Sequence, residues 1–231
     1  INFSEKCTNY KYVGGIVGLA RANVTECVNN DNGAVVGGTQ TGGIIGQLIA
    51  AGTVSGNENK VKISGKNHLG GIIGDYSQSS AYTYYNVSIA NNINRGELAA
   101  TEQCAAIMGC NNIDGFTDMT ATGNVSYYYV EGLELFGNPE DMVIDETNKF
   151  IIPVAQVGEQ TFYTFAEAAA AAQAGSEIKL LANIEGDITV PANVTLNGNG
   201  FAISGAITAD GTITFAGVTE ATNFGVKYVS T

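Results

Sequence analysis

The sequence predicts an all-β protein, a right-handed parallel β-helix (a solenoid) with a short capping helix near the start of a C-terminal module. Three observations predict it. One five-residue phrase recurs at a constant step, other positions between the copies keep the same step, and a single alanine-rich stretch carries the signals of a helix start.

The phrase reads Gly14-Gly15-Ile16-Val17-Gly18, then Gly42-Gly43-Ile44-Ile45-Gly46, then Gly70-Gly71-Ile72-Ile73-Gly74, each copy 28 residues after the last. A looser fourth copy, Ala105-Ala106-Ile107-Met108-Gly109, follows after 35. Self-similarity at a period of roughly 20 to 50 residues marks repeat architectures. Asn29, Asn57 and Asn92 keep step with the phrase once seven inserted residues are allowed in the third copy. So do Thr25, Thr53 and Ser88, then Val35, Ile63 and Leu98, then Gly37 and Gly65. A unit of this size with three short runs, around 24–28, 34–36 and 43–46, has no room for a helical hairpin, and one turn of a parallel β-helix fits it.

In such a turn the strands of successive repeats stack about 4.8 Å apart, so equivalent residues form ladders. Ile16, Ile44, Ile72 and Ile107 are expected to form an inward aliphatic ladder. The neighbouring glycines are expected to supply corners with positive φ and close backbone approach. Asn29, Asn57 and Asn92 read as turn residues whose amides bond to the backbone or to the next Asn. Right-handed winding follows from the strong bias of parallel crossovers.

A composition shift near residue 130 marks the end of the repeats. Residues 1–130 form the repeat region, and 131–150 reads as an acidic linker: Glu131, Glu134, Glu140, Asp141, Asp145 and Glu146 surround Pro139. Their spacing matches no calcium-coordinating loop. Residues 151–231 form a second β-helical module. In it Val154 to Gly158 reads as strand and turn, and 162–174 as one helix. Thr164-Phe165-Ala166-Glu167 has the capping-box pattern and Gly175 the stop. This helix is expected to cover the open end of the β-helix, since bare solenoid ends invite edge-to-edge association. Short runs at 178–181, 184–190, 194–196, 201–203, 207–208 and 212–215, punctuated by Gly, Asn and Asp, read as further strands.

Composition narrows the function. The 231 residues are 45% hydrophobic, enough for a buried core, and the net charge of −12 leaves no basic patch for nucleic acid or an anionic membrane. No apolar run is long enough to span a bilayer. Beginning at Ile1, the chain reads as a processed or trimmed fragment. Cys7, Cys27, Cys104 and Cys110 show no CxxC spacing and no partner histidines, and read as small core residues, so no metal and no cofactor is expected.

The phrases with their Asn and Gly-x-Val spacing resemble the GLUG repeat of secreted and surface-attached bacterial proteins, over roughly residues 1 to 126. Residues 154 to 205 resemble the opening turns of pectate-lyase-like β-helices. These resemblances imply an extracellular, cell-surface location, with a lipid anchor upstream of this chain, and an adhesion role without catalytic residues.

Two other function classes stay open. A polysaccharide lyase or hydrolase would need clustered carboxylates, and Asp75, Glu97, Glu102, Asp114 and Asp118 could approach one another across repeats. His68, the single histidine, reads as an exposed turn residue before Gly70-Gly71 rather than a base or ligand. A carbohydrate-binding accessory region would need exposed rings. The third-copy insertion supplies Tyr76, Tyr82, Tyr84 and Tyr85 as candidate ligand-binding residues, and Tyr127, Tyr128 and Tyr129 form a second aromatic cluster. A glycan or a host or cell-surface protein is the expected partner. The bland alternative is that these rings cover apolar surface.

Overall fold

The computed structural model describes residues 10–30, 32–77, 86–112, 119–209, 214–216 and 227–228. It is all-β with one short helix, and it divides into two units, Ile1–Ile151 and Ile152–Thr231.

In the first unit each of the first three repeats crosses five sheets, and in each sheet it lies parallel to its neighbouring repeats. The first sheet holds Lys11–Gly14, Thr39–Gly42, Asn67–Gly70 and Cys104–Ala105. The second holds Val17–Ala20, Ile45–Leu48, Ile73–Tyr76 and Met108–Asn111. The phrase therefore straddles the passage from one sheet to the next. The third, fourth and fifth sheets continue each repeat, for example through Val87–Ala90, Ile93–Asn94 and Leu98–Ala100. Every pairing in this unit is parallel, an arrangement consistent with a β-helix.

The expected register holds in part. Val35, Ile63 and Leu98 are laddered neighbours. Ile44, Ile72 and Ile107 are fully buried, and so are Ile45, Ile73 and Met108 from the next position, so both columns of the phrase enter the core. Ile16 departs from the expectation: it is 47% exposed in the first repeat. The asparagine ladder exists but is shifted. Asn29 pairs in register with Asn59 and then Asn94, whereas Asn57 and Asn92 belong to a second column continued by Asn124 and Asn148. The cause is a local length difference: Val24 pairs with Val54, a step of 30, although Gly14 pairs with Gly42 at 28.

The phrase glycines serve close approach, not positive φ, since none of them has a left-handed backbone. A Cβ on Gly43 would meet the Gly71 carbonyl oxygen at 2.2 Å and Asn59 Cγ at 2.4 Å. A Cβ on Gly74 would meet the backbone nitrogen of Thr41 at 2.5 Å, so the third glycine lets second-sheet backbone lie against first-sheet backbone. In the fourth repeat Ala106 replaces the glycine that abuts Asn94 in the third, and there the facing ladder position is the smaller Ser126.

The stretch expected to be an acidic linker is instead a fifth repeat of the first unit. Glu134 and Leu135 carbonyls accept from Ala106 and Ile107, Phe136 bridges Met108, and Phe136 is buried. Met142–Ile144 and Lys149–Phe150 extend the third and fourth sheets. Leu133-Glu134-Leu135-Phe136-Gly137 is thus a phrase that has lost all but its last glycine, 28 residues after the fourth copy.

The second unit opens with an antiparallel hairpin, Ala155–Val157 with Gln160–Phe162, then the helix Phe165–Ala171. The helix is shorter than expected, but its capping box is present: Glu167 N–H donates to Thr164 Oγ1, and the Thr164 N–H to Glu167 Oε2. Phe165 and Ala168 are its buried residues. Glu177–Leu180, Thr195–Asn197 and Thr214–Ala216 then run parallel, as do Ile188–Val190, Ile207–Ala209 and Lys227–Tyr228. Their steps are 18 and 19 residues, visible in Ile184-Glu185-Gly186-Asp187-Ile188-Thr189 and Ile203-Ser204-Gly205-Ala206-Ile207-Thr208. Gly186 and Gly205 stack so closely that a Cβ on Gly205 would meet Gly186 backbone at 2.0 Å.

Candidate functional site

The chemistry of the first unit gathers where its first and second sheets lie back to back. Tyr12, Gln40 and His68 occupy equivalent positions of the first sheet, each with left-handed φ of 61°, 55° and 50°. Such a backbone is unusual for bulky side chains. Its recurrence in three repeats makes it a property of the fold. Across from it, Leu19, Gln47, Asp75 and Cys110 form one column of the second sheet. Gly74 lies against the Gln40–Thr41 backbone and Gly109 against Leu69, so the residues after them, Asp75 and Cys110, face the Gln40 and His68 positions of the first sheet.

Asp75 is fully buried, and its two oxygens have different partners. Oδ2 accepts from Gln47 Nε2 at 2.9 Å and from Gln40 Nε2 at 3.3 Å. Oδ1 faces His68 Nδ1 at 3.1 Å. Cys110, 2% exposed, stands beside Asp75 in the adjoining strand, and one ligand atom from each of His68, Asp75 and Cys110 lies within 4.8 Å of the others. Asn138 Nδ2 donates to Cys110 Sγ at 3.4 Å. His68 is half-buried, contrary to its expected exposure at a turn. Contact with the Asp75 carboxylate, helped by the Cys110 sulfur and opposed by burial, holds its imidazolium up to about 10.

That shift has a sign. A histidine whose folded value is raised above its ordinary 6.5 contributes stability that is complete below about 6.5 and is lost as pH rises through about 10. The stability difference between wild type and His68→Gln is therefore expected to shrink across that window, read from urea midpoints at several pH values. A difference that stays flat refutes the ion pair.

The other candidates fall elsewhere. Glu97 pairs with Lys62 at 2.8 Å and Glu102 with Lys66 at 3.3 Å, both on the surface, so neither shares a groove with Asp75. Such exposed pairs contribute little. Asp114 and Asp118 lie outside the described residues. Arg95 holds the Glu58 carboxyl below its usual range and stacks over the Tyr127 ring at 3.9 Å. Tyr128 donates to the Leu98 carbonyl, and Tyr129 meets Phe150 edge-on at 5.1 Å, so this aromatic cluster is engaged within its own unit. Tyr76 is a correction: it is 2% exposed and belongs to the hydrophobic core, laddered between Leu48 and Asn111, so its ring is not at the surface. Tyr82, Tyr84 and Tyr85 lie outside the described residues. Cys27, Cys104 and Cys110 are free thiols, and burial pushes Cys104 up.

Among the described residues, no helix is long and apolar enough to cross a membrane. Comparison with known proteins found no matching family model, no similar curated protein and no similar solved structure.

Proposed function

We infer that the chain is a right-handed parallel β-helix acting outside the cell, at a cell surface, as a noncatalytic interaction or adhesion segment. The resemblance of its phrases to the GLUG repeat, and of its second unit to pectate-lyase-like β-helices, supports the reading. The observation that carries it is the placement of the insertion. Its flanks, Tyr76 and Val87, are both buried in strands that keep register with their neighbours. Insertions in repeat proteins map to surface loops, often on the binding face.

The partner class is a glycan or a surface protein, met by Tyr82, Tyr84 and Tyr85. Replacing these three with Ala is expected to abolish binding on a glycan array or in a matrix-protein pull-down while changing stability by less than about 1 kcal/mol. Retained binding, or binding lost together with the fold, rejects the assignment. Glycan binding without protein binding favours the second reading, an accessory region of a polysaccharide-processing system. A polysaccharide lyase or hydrolase ranks third, because among the described carboxylates Asp75 is buried and Glu97 and Glu102 are paired with surface lysines.

A further inference from the structure

We propose that His68, Asp75 and Cys110 form a binding site for a borderline divalent transition-metal ion of the zinc type. Sulfur, imidazole nitrogen and carboxylate oxygen together are a donor set suited to such ions, and three protein ligands leave one position for an exogenous ligand. Ligand atoms around a tetrahedral zinc bound at about 2.0 to 2.3 Å sit about 3.3 to 3.8 Å apart. His68 Nδ1 and Asp75 Oδ1, at 3.1 Å, are near that spacing, and one ligand atom of each of His68, Asp75 and Cys110 lies within 4.8 Å of the other two, so a small inward movement of the thiol completes the site.

An independent observation points to a ligand. His68 Nδ1 and Asp75 Oδ1 are both buried, and although they pair electrostatically at 3.1 Å, neither is satisfied in hydrogen-bond geometry. Buried polar groups are nearly always paired, and these two converge with the thiol on one place. The surroundings orient the donors. Gln40 and Gln47 hold Oδ2 of Asp75, which turns Oδ1 toward His68, and Asn138 donates to the Cys110 sulfur, which holds it in place. Binding forms bonds from Nδ1, Oδ1 and Sγ to the cation, and the thiol and imidazolium protons leave to solvent. Access runs past His68, the one ligand of the three that is partly exposed.

The test is cobalt(II) titration of the full chain after chelation and reduction. A thiolate-to-cobalt charge-transfer band is expected to saturate at one equivalent and to disappear on adding zinc. Cys110→Ser is expected to remove the band, and His68→Gln and Asp75→Asn to weaken binding. Gln47→Ala is expected to weaken it about tenfold or more through the freed carboxylate. Circular dichroism and unfolding midpoints report whether each variant folds. Should Cys110→Ser not fold, His68→Gln decides, since that side chain is at the rim. No band in the wild type, or a band unchanged in the folded variants, overturns the site and leaves the cluster a structural ion pair. Neither outcome depends on whether the protein binds glycans or surface proteins.

Discussion

Replacing Asn92 with Ala is expected to destabilise the first unit by at least about 3 kcal/mol, measured by urea unfolding. The side chain is fully buried between two like residues. Its Oδ1 accepts from the Asn57 backbone N–H at 3.1 Å and from Asn57 Nδ2 at 2.9 Å. Its Nδ2 donates to the Val54 carbonyl and to Asn124 Oδ1, both at 2.8 Å. Truncation takes a partner from four buried groups; Asn57 Nδ2 keeps the Val24 carbonyl and Asn124 Oδ1 keeps the residue 92 N–H, whereas a group left with none costs about 1 to 3 kcal/mol. Asn148, at the far end of the column, is only partly buried, and its replacement is expected to cost clearly less. Equal small effects at both positions would show that the ladder is a bystander to stability.

Gly43→Ala is expected to cost more than about 3 kcal/mol, beyond the usual range for one added methyl group, because the obstacle is backbone. The new Cβ would press on the Gly71 carbonyl and on Asn59, and only the second can be relieved by a side-chain change. Combining it with Asn59→Ser should therefore cost less than the two single effects added, and the cycle isolates that coupling. The fourth repeat carries the matching pair, Ala106 with Ser126, in the native chain. Additive effects would mean that Asn59 does not set the space at this glycine.

Much of this was legible from periodicity alone. Three phrase copies at 28 residues and an insertion of seven place the parallel ladders, and the capping box locates the helix start. The fifth repeat is hidden because Leu133, Glu134 and Phe136 replace the residues that define the phrase. What the fifth repeat keeps is the step of 28 and the closing Gly137. The two-residue shift at Asn29 is hidden for a related reason: Asn occurs at both 57 and 59, and only backbone pairing selects between them. The 19-residue step of the second unit was readable in the paired Ile-x-Gly-x-Ile-Thr segments.

The metal-ligand cluster was half legible. Adding the 35-residue step to Asp75 gives Cys110, so their adjacency follows from the repeat. His68 does not follow, because it sits seven residues before Asp75 in another sheet, and those sheets approach closely only through Gly74 on Thr41 and Gly109 on Leu69. Ligand motifs read along one strand or helix miss a site assembled through a glycine contact.

The asparagine column also implies a gradient of local opening along the first unit. Each repeat is held mainly by its immediate neighbours, so its amides exchange with solvent at a rate set by how many of those contacts must part. Asn57, Asn92 and Asn124 are sealed, whereas Ile16, Leu19 and Val28 of the first repeat are each more than two-fifths exposed. Fraying should thus begin at the first repeat and move inward, with the slowest deuterium uptake in the third. The insertion after Tyr76 springs from that slowest-opening repeat, so a partner pulling on it would load the part of the molecule least able to come undone.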